Sequence, residues 1–183
     1  MLAGFARSSL SNDMIDRMQL QRWELKYVVP EATALRIRDC VGSYLELDEF
    51  GASQPDLSYS VHSLYLDSPD LRIYWGTING NRNRYKIRLR FYNDQPHAPV
   101  FFEIKRRMND AILKQRGGVK RESVEAILDG SYPGWEDLSS ADYRGLAAVQ
   151  DFVKLMLHDD TTPRAHVCYR REAWISTMDN SVR

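Results

Sequence analysis

Lys86, Arg88 and Arg90 occupy alternate positions of the stretch YKIRLRFY, residues 85–92. Side chains of an extended chain point to opposite faces in turn, so these cations share one face while Tyr85, Ile87, Leu89 and Phe91 share the other. The pattern recurs along the chain: Glu24 with Lys26, Glu103 with Lys105 and Arg107, Lys114 with Arg116, and Tyr169 with Arg171 each sit on one parity of an alternating segment. One such strand is ordinarily the solvated side of an antiparallel sheet. Five of them are more simply explained by one shared face. Like charges opposite each other across a sheet repel, and guanidinium forks match phosphate oxygens. The chemistry offered by this residue set is therefore the grip of a phosphate polyanion.

The charge is local. From Arg82 to Arg121 there are 12 Lys or Arg against 3 acids, whereas the whole chain of 183 residues has 25 of each sign and a net charge of +0. That balance argues for a site rather than general nucleic-acid affinity. Single-strand binders usually interleave exposed aromatics with their cations, and here the aromatics fall mostly on the opposite parity. With 43% hydrophobic and 27% charged residues the composition suits one soluble domain. No apolar run is long enough to span a membrane. Cys40 and Cys168 form neither a zinc spacing nor a disulfide framework, which favours a reducing, cytoplasmic setting. Residues 1–20 read as a flexible leader, neither secretory signal nor transit peptide, ahead of one domain over 21–183.

The elements that would position the cations follow from period and punctuation. RWELKYVV (22–29) reads as a strand, with a helix beginning at Pro30. YSVHSLYLD (59–67) reads as a second strand, stopped by Ser68-Pro69-Asp70 with Asp67 capping the turn. After the strand over 85–92, residues 100–107 and 111–119 pair as a hairpin that turns near Met108-Asn109-Asp110, and Gly117-Gly118 reads as a turn. A short helix ends at Gly130. A longer one over about 141–158 carries Tyr143, Leu146, Val149, Val153, Met156 and Leu157 at helical spacing, with Ser139 and Asp142 as a capping box. AHVCYRREAWI (165–175) closes the series as a strand. His62 reads as a packed or hydrogen-bonded strand residue. The fold class is α+β, an antiparallel sheet curled into a tunnel or barrel with flanking helices. A barrel of about eight strands holds one small ligand.

ELKYVV, SLYLDSPDLRIY, KIRLRFY, FFEIKRR, LKQRGG and YRREAW, in this order, resemble the polyphosphate polymerase (VTC, vacuolar transporter chaperone) domain, a branch of the triphosphate tunnel metalloenzymes. The resemblance runs from about Arg22 to the end of the chain. It implies a basic tunnel that holds the triphosphate of ATP and a polyphosphate chain with Mn or Mg, and that transfers the terminal phosphoryl group. Arg88, Arg90, Lys105 and Lys114 stand where the family places its central phosphate grip. Lys26, Tyr169 and Arg171 match further tunnel positions, and Lys86, Arg107 and Arg116 extend the same face. Glu103 and Glu24 are the acids on that face, open to two readings: metal ligands, or partners that orient neighbouring cations.

Two departures shape the expectation. Arg22-x-Glu24-x-Lys26 replaces the superfamily's Glu-x-Glu-x-Lys, which fits the polymerase branch better than the triphosphatase or cyclase branches. The family also continues past Arg183 with strands carrying Arg, Asp, Glu and Lys, so the tunnel is expected to be incomplete, with an open sheet edge able to pair with another chain. A non-catalytic polyphosphate or inositol-phosphate binding module and a tripolyphosphate or nucleoside-triphosphate hydrolase stand as alternatives to a polymerase.

Overall fold

A computed structural model describes residues 25–176. In chain order the helices and strands are α1 (Glu31–Val41), β1 (Glu46–Leu47), α2 (Glu49–Ala52), β2 (Tyr59–Asp67), α3 (Arg72–Ile78), β3 (Asn83–Phe91), β4 (Val100–Met108), β5 (Ala111–Val119), α4 (Val124–Leu128), α5 (Tyr143–His158), β6 (Thr162–Arg171) and β7 (Trp174–Ile175). The chain divides into two units, Met1–Leu57 with Glu172–Arg183 and Ser58–Arg171. No helix among the described residues is long and apolar enough to cross a membrane. The expected leader, residues 1–20, lies outside the described residues.

In the first unit, β1 pairs antiparallel with β7, setting Glu46 against Ile175 and Leu47 against Trp174. Arg38 of α1 donates to Glu172. Pro30 is the N-cap of α1, as its fixed φ allows. The strand expected over 22–29 is not found in its described part: residues 25–30 have no regular structure and are exposed. Alternation makes a strand only where a neighbour accepts its backbone hydrogen bonds, and no described strand lies beside these residues. Lys26 therefore sits on irregular chain before α1. Glu24 lies outside the described residues.

The second unit is built on one antiparallel sheet in the order β5-β4-β3-β2-β6. The α+β class and the antiparallel sheet are as the sequence indicates. The five described strands are open, with β5 and β6 as edges, and do not close into a barrel. Asn109 and Asp110 form the two-residue turn between β4 and β5, with Met108 facing Ala111 and Asn109 at φ 53. Asp67 ends β2 and accepts from the backbone N–H of Ser68, Ile73 and Tyr74 at 2.8, 2.9 and 2.8 Å, so it starts α3 as well as capping the turn.

One sheet face is core. Ile87 and Leu89 of β3, Phe102 and Ile104 of β4, and Leu66 of β2 pack with Leu146, Val149, Phe152, Val153 and Met156 of α5, and Tyr85 and Phe91 lean on the same cluster. The apolar parity of YKIRLRFY thus faces the helices, as expected. Phe102 meets Phe152 edge to face at 4.9 Å, a preferred aromatic geometry. Asp142, not Ser139, caps α5, accepting from the Arg144 N–H at 3.0 Å. Gly117 and Gly118 belong to β5 rather than to a turn. A Cβ on Gly117 would lie 2.3 Å from the Gly145 carbonyl oxygen and 2.5 Å from Val149 Cγ2. The bare backbone is what lets α5 approach the sheet.

Candidate functional site

The opposite face carries the polar parity, and the register places its residues in rows that run across the strands. Lys86, Lys105 and Lys114 stand abreast on β3, β4 and β5; beside them stand Arg88, Glu103 and Arg116; Arg90 faces Phe101, which faces Gly118. On β2, Tyr65 faces Arg88 and Ser63 faces Arg90. Three lysines directly opposite one another would repel, so the sheet itself gains nothing from that row.

Glu103 organises the middle. It is 2% exposed. Arg88 donates Nε to its Oε2 at 2.8 Å and brings Nη2 to 2.7 Å of the same oxygen. Arg90 Nη1 lies 3.8 Å from Oε2, and Lys114 Nζ and Arg116 Nε each lie 3.4 Å from Oε1. Oε1 is nevertheless buried without a hydrogen bond, as is Arg116 Nε. Four cations around one carboxylate leave a formal surplus of three positive charges.

The remaining contacts aim the guanidinium groups. Arg88 Nη1 donates to Tyr65 Oη at 2.9 Å, and Arg90 donates Nε and Nη2 to Ser63 Oγ, both at 3.2 Å. Arg116 lies 3.5 Å above the Phe101 ring centre and donates to Tyr92 Oη at 3.3 Å. Stacking on an aromatic face holds a guanidinium flat while leaving N–H groups for a ligand.

Burial is the largest influence on the Glu103 carboxyl and pushes its pKa up. Lys114, Arg88 and Arg90 outweigh it together and hold the group below the ordinary carboxylate value. Burial also dominates at Lys114, whose pKa falls below the ordinary lysine value although Glu103 pulls it up. Glu103 is therefore favoured as an anion, while burial works against the charge on Lys114.

The structure brings together Lys86, Arg88, Arg90, Glu103, Lys105, Lys114 and Arg116 on one face. Tyr169 and Arg171 of β6 share its parity, facing Val61 and Tyr59 of β2. Arg107 lies on the same parity beyond the lysine row but turns to the hairpin, donating Nε to the Asn109 carbonyl at 2.8 Å. Sequence reasoning missed Ser63, Tyr65, Tyr92 and Phe101. Tyr92 was legible, being next after Arg90 on the cationic parity, but Ser63 and Tyr65 needed the pairing of β2 with β3. His62 is as expected: it stacks on Phe91 and its Nδ1 lies 3.2 Å from His166 Nε2.

Glu103 makes the contacts of the orienting reading, with cations beside both of its oxygens. Mn and Mg take several oxygen ligands, whereas Glu103 is a single carboxylate with cations beside both oxygens. Among the described residues no group of three His, Cys, Asp or Glu could hold a metal ion. The described residues thus offer a divalent cation one carboxylate, and its further ligands would have to come from phosphate oxygens and water.

The VTC domain family model matches residues 21–183. No match is found among curated proteins. Among solved structures the chain is similar to a candidate adenylate cyclase from Bacillus halodurans, with 12% identity and a TM-score of 0.46 over 79% of this chain. The chain spans 61% of the length of that structure.

Proposed function

The chain belongs to the VTC domain family, a family tied to polyphosphate and triphosphate binding, and on that premise we propose that its cationic sheet face grips a linear phosphate chain and presents the terminal phosphoryl group for transfer. The observation that carries the reading is the surplus around Glu103: four cations share one buried carboxylate, and one of them, Lys114, stands in a row with two further lysines, Lys86 and Lys105. A phosphate chain laid along the face would relieve both. In the transfer, the bond from the γ-phosphorus of ATP to its bridging oxygen breaks. A bond forms from that phosphorus to a terminal oxygen of an acceptor phosphate, and ADP leaves. For such a step a protein supplies mainly position and charge neutralisation.

Arg88, Arg90, Lys105 and Lys114 are assigned the phosphates at the reacting end. Lys86, Arg116, Tyr169 and Arg171 line the rest of the face, Arg107 lies at its rim, and Lys26 carries a phosphate contact on the family match alone. Mn or Mg belongs to this reading on family grounds, and no step is assigned to it. The occupation of Glu103 by cations favours a second reading, a holding module that binds phosphate chains without turnover. A hydrolase differs only in using water as acceptor. The open edges of the sheet make self-association part of the proposal.

The test is incubation with ATP and Mn, sizing of the phosphate products, and titration with tripolyphosphate, with Arg88→Ala alongside. A polymer ladder lost in the variant supports transfer. Tripolyphosphate binding without a ladder supports the holding module. Equal tripolyphosphate affinity in both proteins removes the site.

A further inference from the structure

Beyond the lysine row the sheet ends in a groove of about 470 Å³, walled by α3, the end of β2 and the starts of β3 and β6. That volume suits a small-molecule site. Its walls are mainly apolar, with Leu71, Ile73, Tyr74 and Ile78 on the α3 side. Two cations flank it, Lys86 and Arg164. Neither hydrogen-bonds or pairs with another described residue. Asp67 also lines the groove, but its two oxygens are engaged by backbone N–H groups at the start of α3.

Arg164 is placed there by an irregularity. Ala165 faces Tyr65 and Pro163 faces Leu66, so Arg164 is an extra residue on β6 with no partner on β2. Such a bulge re-aims a side chain out of the regular pleat. Tyr65 connects this groove to the cationic face, since it lines the groove and binds Arg88 Nη1 through its hydroxyl at 2.9 Å. Lys86 is the other shared residue, two positions before Arg88 on β3. From Lys86 to Arg90 is four residues of strand, roughly 13 Å.

We infer that this groove receives the base and sugar of a nucleotide whose phosphates lie on the cationic face, with Tyr74 as the flat contact for the base and Arg164 holding the sugar-proximal phosphate. A ligand with a flat apolar head and an anionic tail satisfies both halves of the site at once. Inorganic polyphosphate satisfies only the cationic half. The groove thus sets the preference for a nucleoside triphosphate over bare tripolyphosphate, and the inference rests on the phosphate-binding reading of the adjoining face.

The experiment is calorimetric titration of the full chain with ATP and with inorganic tripolyphosphate, in wild type, Tyr74→Ala, Arg164→Ala and Arg88→Ala. Tyr74 is 49% exposed and Arg164 is exposed, so both variants should fold, which circular dichroism checks. Tyr74→Ala should weaken ATP by about tenfold, the scale of one lost base-stacking contact, and leave tripolyphosphate unchanged. Arg164→Ala and Arg88→Ala should each weaken both ligands, since both residues hold phosphates. If Tyr74→Ala leaves ATP untouched, or lowers both ligands equally, the groove is not a nucleoside site; if Arg164→Ala leaves ATP untouched, Arg164 holds no phosphate of it. If Arg88→Ala changes neither ligand, the phosphate-binding reading itself fails, and the inference falls with it.

Discussion

The two faces of the five-stranded sheet are made by alternate residues of the same strands, and they end in opposite states. On one, Ile87, Leu89, Phe102 and Ile104 are at most 3% exposed and lie under α5. On the other, Glu103 is 2% exposed, yet the groups around it are cations that exceed it four to one. The apolar face is complete without help, because burying hydrocarbon needs no partner of matched number. The cationic face is incomplete in charge. Stability and the proposed binding are thereby divided between alternate positions of single strands, which is why variants one residue apart should report on different properties.

The largest effect expected is on the completed face. Phe102→Ala removes a fully buried ring from the contact with Phe152 and should cost about 3–5 kcal/mol in denaturant unfolding. Tripolyphosphate affinity of the folded protein should be preserved; if it falls in step with stability, the two faces are not separable.

Glu103→Gln comes next. It removes the one anion among four cations and should destabilise the free protein by about 3 kcal/mol, the scale for breaking a buried pair. Tripolyphosphate should then raise the melting temperature more in the variant than in wild type, since the ligand supplies the missing charge. Because the carboxyl is held below its ordinary value, its stabilisation is full above the ordinary carboxylate range and is lost as pH falls through the lowered value. An acid titration of stability should therefore show a steeper fall below that range in wild type than in Glu103→Gln.

Smaller again is Arg88→Ala, for which about a tenfold loss of tripolyphosphate affinity and a shallower dependence on salt are expected. Smallest is Lys105→Ala at the centre of the lysine row. Removing a cation flanked by Lys86 and Lys114 should raise stability by a few tenths of a kcal/mol while weakening tripolyphosphate, and opposite signs in the two measurements would mark the row as a binding feature. A loss of both would show that the row is structural.

Parity was the part most legible in the sequence. YKIRLRFY announced which residues of β3 face the helices and which form the cationic face, and β4 and β5 followed by the same alternation. What alternation cannot show is which strand lies beside which. The roles of Ser63 and Tyr65 depended on β2 pairing with β3, and the placement of Arg164 depended on one residue of misregister in β6. Residues 25–29 show the converse: Leu25, Tyr27 and Lys26 alternate well, but without a neighbouring strand the pattern produces none. Gly117-Gly118 misled because glycine signals both a turn and a close approach, and only the position of α5 distinguishes them.

That close approach sets the freedom with which this chain can vary. At position 117 an added carbon would meet the main-chain oxygen of Gly145 and the Val149 side chain, neither of which can step aside without lifting α5. At position 118 it would meet chiefly the Ser139 hydroxyl, 2.5 Å away, an atom that can rotate. In a saturating mutational library position 117 should accept almost no replacement, while its neighbour tolerates small ones. A single methyl group thus separates a fixed letter of this sequence from an adjustable one.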